Sequence, residues 1–272
     1  MLKNRQIAFI GAGAMGGAMI SGVLACNIVE PGQIIASDPR RDVCDALKLK
    51  YGVDVTTNNV VACKDSNVIV LSVKPQVLNE VFKVLSGSIE SDALVISIVA
   101  GAKLSTLVAG LNHKSVIRCM PNTPAQIGQG ISVWTGSTGV SRLQNKQTKV
   151  ILESLGREIH VDDEKYIDMA TALTGSGPAY IYLFIEALVE AGVNIGFSKT
   201  EAEELVRTTV VGSVAYAMES VENVSDLRAQ VTSPGGTTEA AVDFLEAEDF
   251  RTIVSNAVSA AYQRAIELGQ NN

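Results

Sequence analysis

A chain of 272 residues that is 47% apolar and 19% charged can bury a substantial core, which excludes a disordered or fibrous protein and suits two ordinary domains. The formal net charge of −7 speaks against nucleic-acid binding, which needs a basic face, and leaves any anionic ligand to backbone dipoles or a few placed cations. The cysteines Cys26, Cys44, Cys63 and Cys119 form no C-x-x-C pair, and His113 and His160 stand apart from them. No metal site is expected from that spacing, and free thiols in a reducing, cytoplasmic setting are.

Met1–Arg5 is expected to lead straight into a strand, so no signal peptide is expected. No apolar run reaches the roughly 18 residues of a membrane span, so no membrane contact is expected. Gln6–Ile10 reads as a short strand, followed by glycines and an apolar helix through Met19 to Leu24. Ile34–Ser37 predicts a second strand and Asp42–Lys50 a helix. Val68–Ser72 and Ala93–Ile98 are near-continuous Val/Ile/Leu runs, the look of strands buried on both faces, and Ser115–Cys119 and Gly130–Thr135 add further ones. Strands alternating with helices imply parallel strands joined by right-handed crossovers, hence an α/β, doubly wound, mostly parallel sheet.

Beyond about Asp162 the strand signals stop and helical periodicity takes over. Ala179–Gly192 is apolar on most faces, with Glu186 and Glu190 as the charged exceptions. Thr200–Val221 is amphipathic, and Arg251–Leu268 is similar. The reading is an N-terminal domain over 1–162 and an all-helical domain over 163–272. A helix as apolar as Ile181–Val193 needs burial all round, more than a small helical domain can supply, so it is expected in a subunit interface.

Ile7-Ala8-Phe9-Ile10 runs into Gly11-Ala12-Gly13-Ala14-Met15-Gly16, a G-x-G-x-x-G that follows a strand and opens a helix. In that context it is the fingerprint of a dinucleotide-binding Rossmann unit. Gly11 permits the tight turn, Gly13 lets the backbone approach a pyrophosphate, and Gly16 allows close packing of helix on strand. The helix N-terminus then offers N–H groups and a positive dipole end to phosphates. About twenty residues on stands Asp38, with Arg40 and Arg41 just beyond. An acid there accepts the ribose 2′-OH of NAD, whereas an arginine accommodates the 2′-phosphate of NADP, so the two pull in opposite directions. Asp38 also suits the N-cap of the next helix. Val73-Lys74-Pro75 and Val99-Ala100-Gly101 fall at further C-terminal strand edges. Lys74 reads equally as a cofactor contact or as a solvated lysine before a proline.

Between Thr174 and Gly196 there is no Lys, His, Asp or Arg to serve as a strong acid or base. That suits a substrate already electrophilic, such as a protonated C=N bond, which needs positioning more than protonation. Two segments could position it: Thr174-Gly175-Ser176-Gly177-Pro178, and Gln230 through Thr238, where Gly235 and Gly236 expose backbone amides at a helix start. From spacing alone each is as readily an ordinary helix cap.

Val116-Ile117-Arg118-Cys119-Met120-Pro121-Asn122-Thr123-Pro124, Leu173 through Tyr180, and Leu227 through Glu246 with Ser233-Pro234-Gly235-Gly236-Thr237-Thr238 inside together resemble pyrroline-5-carboxylate reductases, over essentially the whole chain. The resemblance implies reduction of 1-pyrroline-5-carboxylate to L-proline with NADPH or NADH. It implies that Ser233, Gly236 and Thr237 hold the substrate carboxylate and that Thr238, the catalytic candidate, hydrogen-bonds the ring nitrogen. Gly11, Ala12, Gly13, Ala14, Met15, Gly16, Asp38, Arg40, Asn59, Ser72, Val73, Lys74, Pro75, Val99, Ala100 and Gly101 would line the cofactor. It further implies a homodimer interlocked through the helical domain, with larger assemblies open. The acid at position 38 departs from the small or neutral residue of members that favour NADPH, and Arg40 and Arg41 offer compensation. The residues alone leave room for a related imine or β-hydroxyacid dehydrogenase, or for a non-catalytic dinucleotide-binding regulator. The missing lysine weighs against the hydroxyacid enzyme, and a regulator has no use for Ser233–Thr238.

Overall fold

The computed structural model describes Leu2 and residues 5–270. The expectation for Met1–Arg5 rests partly on Met1, Lys3 and Asn4, which lie outside the described residues. Contacts divide the chain into two compact units: Met1–Ser176 together with the stretch from Ala261, and Gly177–Ala260. The change of organisation read at Asp162 thus precedes the contact boundary, because Ile167 and Ala170 are buried against Met120 and Val133 of the sheet.

Among the described residues the first unit is built on eight strands: β1 (Ile7–Ile10), β2 (Ile34–Ser37), β3 (Asp54–Thr56), β4 (Val68–Leu71), β5 (Leu94–Ser97), β6 (Val116–Met120), β7 (Gly130–Gly136) and β8 (Gly156–His160). They lie in the order β3-β2-β1-β4-β5-β6-β7-β8. Every pairing is parallel except β6 with β7. The helices of this unit are α1 (Ala14–Ala25), α2 (Arg41–Tyr51), α3 (Asn59–Cys63), α4 (Leu78–Leu85), α5 (Leu104–Leu111), α6 (Arg142–Glu153) and α7 (Lys165–Ala170). β1 and β4 are buried at every position, as the apolar runs required. Alternation splits β1 between two cores: Ile7 and Phe9 pack with Met19, Ile20 and Val23 of α1, while Ala8 and Ile10 pack with Leu78, Phe82 and Leu107 of α4 and α5. Two strands went unpredicted, β3 and β8. Both are sheet edges with exposed and half-buried residues, so their sequences carry no apolar run to announce them.

The second unit holds α8 (Gly177–Asn194), α9 (Lys199–Glu219), α10 (Val224–Gln230), α11 (Thr237–Ala247) and the start of α12 (Phe250–Gln270). α9 begins with a reciprocal cap in which Glu201 N–H donates to Ser198 Oγ and Ser198 N–H to Glu201 Oε2. α8 and α9 pack closely where a Cβ on Gly192 would stand 3.1 Å from Ala202 Cβ. Among the described residues Ala202 is the only buried one of α9, and α8 has none. Leu183 is 68% exposed, Val211 69% and Met218 73%, so large apolar side chains on both helices face outward from the single chain. By length and composition the helical run Lys165–Asn194, with a mean hydropathy of 1.3 over an 18-residue window, could cross a membrane. In the sequence Glu186 and Glu190 interrupt the apolar residues and hide that length.

Candidate active site

β1 delivers the chain into the glycine turn at the C-terminal edge of the sheet. Gly11 has φ +92°, and a Cβ there would lie 2.7 Å from the carbonyl oxygen of Ser72. A Cβ on Gly16 would lie 2.4 Å from Gly11 O and 2.8 Å from Ser72 Oγ. The Ser72 hydroxyl donates to Gly11 O at 2.5 Å, tying the loop after β4 to the turn. Around Gly13 the space is open, with nothing within 4 Å of an added Cβ. The first backbone bond of α1 runs from Gly17 N–H to Gly13 O at 2.8 Å, and Gly13 supplies no side-chain cap. The amides of Ala14, Met15 and Gly16 are therefore left without a partner among the described residues. They open beside a cavity of about 490 Å³ whose walls include Gly13, Ala14, Gly17, Arg40 and Lys50. Bare amides and a helix dipole fit the pyrophosphate of a dinucleotide, and two cations in the same cavity suit its negative charge.

Asp38 directly follows β2 and is 4% exposed. Its carboxylate accepts Ala12 N–H at 3.0 Å, Arg40 N–H at 3.0 Å, Arg40 Nε–H at 2.9 Å and Arg40 Nη2–H at 3.1 Å. Burial pushes this carboxyl upward, but the Arg40 and Ala12 donors outweigh it and hold the group below the ordinary carboxylate range. The N-cap of α2 is Arg40, so Asp38 does not take the capping role its position allowed. Asn59, at the start of α3, accepts from Ser37 Oγ at 2.7 Å and so reaches the end of β2. Lys74 is exposed ahead of a short turn at Pro75–Val77. Gly101, in the loop after β5, is packed by Leu268 of α12.

A buried cation whose partners the sequence did not disclose lies in β6. Arg118 of β6 is 1% exposed, and donates from Nη1 to Glu164 Oε1 at 2.8 Å and from Nη2 to Asp168 Oδ1 at 2.5 Å. Glu164 Oε1 also accepts Leu104 N–H at 2.7 Å, at the start of α5. The triad thus links β6 and α7 to the helix that follows Val99–Gly101. An arginine inside the apolar run Val116–Met120 was the available signal, since such a charge is buried only when paired.

In the second unit, Ser233–Thr238 forms a turn that opens α11. Gly236 N–H donates to Ser233 O at 3.0 Å, and Gly235 N–H donates to Glu239 Oε2 at 2.7 Å. The Gly236 donor is thus also used within the turn. α11 bonds back first from Ala240 N–H to Gly236 O at 3.2 Å, which leaves the Thr237 and Thr238 amides without a partner among the described residues. Ser233 and Thr237 are exposed and Thr238 is half-buried. The other glycine segment is helical: Thr171–Gly175 forms a π-helical turn, and Pro178 is the second residue of α8. Thr174 Oγ donates to Ala170 O at 2.9 Å inside that turn.

Residues 164–268 match the family model described as pyrroline-5-carboxylate reductase dimerisation, and residues 6–101 match one described as NADP oxidoreductase coenzyme F420-dependent. A pyrroline-5-carboxylate reductase of Pseudomonas aeruginosa is 40% identical over 99% of this chain and 98% of its own length. One from Synechocystis is 38% identical over 97% and 98%. The chain belongs to the pyrroline-5-carboxylate reductase family. Among solved structures, the Plasmodium falciparum pyrroline carboxylate reductase with NADP bound superposes with a TM-score of 0.89, at 31% identity, over 98% of this chain and 99% of that one. A Coxiella burnetii pyrroline-5-carboxylate reductase gives 0.87 at 36% identity, over the same shares. Pyrroline-5-carboxylate reductases are NAD(P)H-dependent oxidoreductases acting on a cyclic imine. The exposed apolar helices α8 and α9 of this chain fall within the matched region, residues 164–268.

Proposed function

We propose that the chain reduces the C=N bond of 1-pyrroline-5-carboxylate to give L-proline, using NADPH or NADH. The observation that carries this reading is the presence, in a member of that family, of two helix starts with unpartnered amides, one at Ala14–Gly16 and one at Thr237–Thr238. The first suits the cofactor pyrophosphate, with Gly11, Ala12, Gly13, Met15, Ser72, Val73, Pro75, Asn59, Val99, Ala100 and Gly101 along the same strand edges. The second suits the substrate carboxylate, held by the Thr237 and Thr238 amides with the Ser233 hydroxyl beside them. The nicotinamide, when bound, supplies the hydride. The protein's part is to hold the carboxylate and to orient the ring nitrogen with the Thr238 hydroxyl. Its rate gain comes from orientation and fixed dipoles, in keeping with the absence of Lys, His, Asp and Arg from Thr174–Gly196. Thr238→Ala should lower kcat roughly ten- to a hundredfold in an assay of 1-pyrroline-5-carboxylate reduction, the loss expected for one hydrogen bond to a charged group. Wild-type kinetics in that variant would remove Thr238 from the mechanism. No turnover by the intact protein with either cofactor would favour the non-catalytic regulator instead.

The same reading includes a homodimer interlocked through the helical unit, with larger assemblies built from it, working in the cytoplasm. The exposed Leu183, Val211 and Met218 support the dimer, and the four free cysteines support a reducing compartment. Light scattering of the purified protein should give a mass of at least twice 28.7 kDa. A stable, active monomer would overturn the dimer.

A further inference from the structure

Asp38 and Arg40 point opposite ways in the sequence, and their hydrogen bonds decide between them. A carboxylate offers about four acceptor positions, two on each oxygen. On Oδ1 the Arg40 N–H and Nε–H are received, and on Oδ2 the Ala12 N–H and the Arg40 Nη2–H. Every position is filled, and the side chain is only 5% exposed. A ribose 2′-OH that donated to Asp38 would have to displace the Ala12 amide of the glycine turn or one arm of Arg40. Neither exchange is favourable, since a bidentate guanidinium–carboxylate bond is stronger than one to a neutral hydroxyl.

Arg40 is placed the other way. Its side chain is 59% exposed, and it lines the same cavity as Gly13 and Ala14. Of its five guanidinium N–H groups, Nε–H and one on Nη2 go to Asp38, which leaves the remainder for a ligand. Arg41 is drawn instead toward Asp45, at 3.2 Å. The start of α2 adds amides with no side-chain cap beside Arg40. We propose that Arg40, aimed by Asp38, reads the 2′ position of the dinucleotide, and that this chain therefore favours the 2′-phosphorylated cofactor. Asp38 is then a positioning residue that acts through Arg40, and its own charge is neutralised in doing so. The inference rests on the reading of the Gly11–Gly16 cavity as the dinucleotide site.

Titration calorimetry of the full-length protein with 2′,5′-ADP and with 5′-AMP tests it without any turnover. The wild type should bind 2′,5′-ADP about ten- to a hundredfold more tightly, the range expected of charge-assisted hydrogen bonds to one phosphate. Arg40→Gln should bring the two affinities to within about twofold of each other, whereas Arg41→Gln should leave most of the difference in place. Asp38→Asn should shrink the difference in the wild-type background and change nothing further once Arg40 is already Gln, as a coupled pair requires. A merely structural Asp38 would weaken both ligands in both backgrounds. Equal or better binding of 5′-AMP by the wild type, or an equal loss for both ligands in Arg40→Gln, overturns the proposal. If neither fragment binds the wild type, the dinucleotide reading of the cavity falls with it. Binding of both without preference sinks the Arg40 assignment alone.

Discussion

Replacing Arg118 by methionine should remove about 3–5 kcal/mol of stability, the loss typical when one member of a buried ion pair is deleted. The guanidinium lies inside β6, at 1% exposure, with Glu164 and Asp168 as its partners. Methionine fills much of the same volume, so the loss comes from the two carboxylates stripped of their countercharge and not from a cavity. Leu104 N–H keeps its bond to Glu164 only if that carboxylate stays in place, so the start of α5 should loosen as well. Urea unfolding followed by the fluorescence of Trp134, the single tryptophan and a buried residue of the same unit, reads the change directly. Adding Glu164→Gln and Asp168→Asn to Arg118→Met should recover most of the stability, because a neutral set no longer carries unpaired charge. A loss below about 1 kcal/mol for the single variant would mean that the triad behaves as a surface pair and that the two carboxylates are not stranded without Arg118.

Gly16→Ala should cost about 1–3 kcal/mol of stability, as overpacking does, and lower the affinity for NADPH by about ten- to a hundredfold through displacement of the amides that meet the pyrophosphate. The added methyl would sit 2.4 Å from Gly11 O, so α1 has to back away from the turn. Neither neighbour can yield cheaply, since one is backbone and the other is the Ser72 hydroxyl already bonded to that backbone. Gly17→Ala, one position on, meets nothing within 4 Å. It should gain about 0.5–1 kcal/mol from helix propensity. Calorimetry with NADPH on both variants separates the two positions. Wild-type affinity in Gly16→Ala would show that the close helix–turn contact is not what places the amides.

The glycine spacing was legible because its meaning is local. The left-handed backbone at Gly11 and the close approach at Gly16 are demanded within a few residues, so a strand followed by G-x-G-x-x-G reports them directly. The buried strands β1, β4, β5 and β6 were legible for a similar reason, as burial on both faces leaves a continuous apolar run. β3 and β8 escaped because an edge strand half open to water has no such run. That the Gly236 amide bonds within its own turn was not legible, because a sequence shows that a turn is present but not which donors the turn uses. The apolar length of Lys165–Asn194 does not show as a continuous run, because a helix averages over its faces and Glu186 and Glu190 fall between the apolar residues.

By itself the sequence determined the dinucleotide-binding unit, the helical half with more apolar surface than it can bury, and the family to which both belong. These depend on local sterics and on patterns that survive without knowledge of neighbours. The tertiary structure alone decided which partners meet across long stretches of chain. Asp38 is joined to Ala12 across 26 residues, and Arg118 to Glu164 and Asp168 across 46 and 50. In each case the side chain's type was visible, but its role depends on whether its hydrogen-bonding capacity is already filled, and only the folded chain brings the groups that fill it within reach.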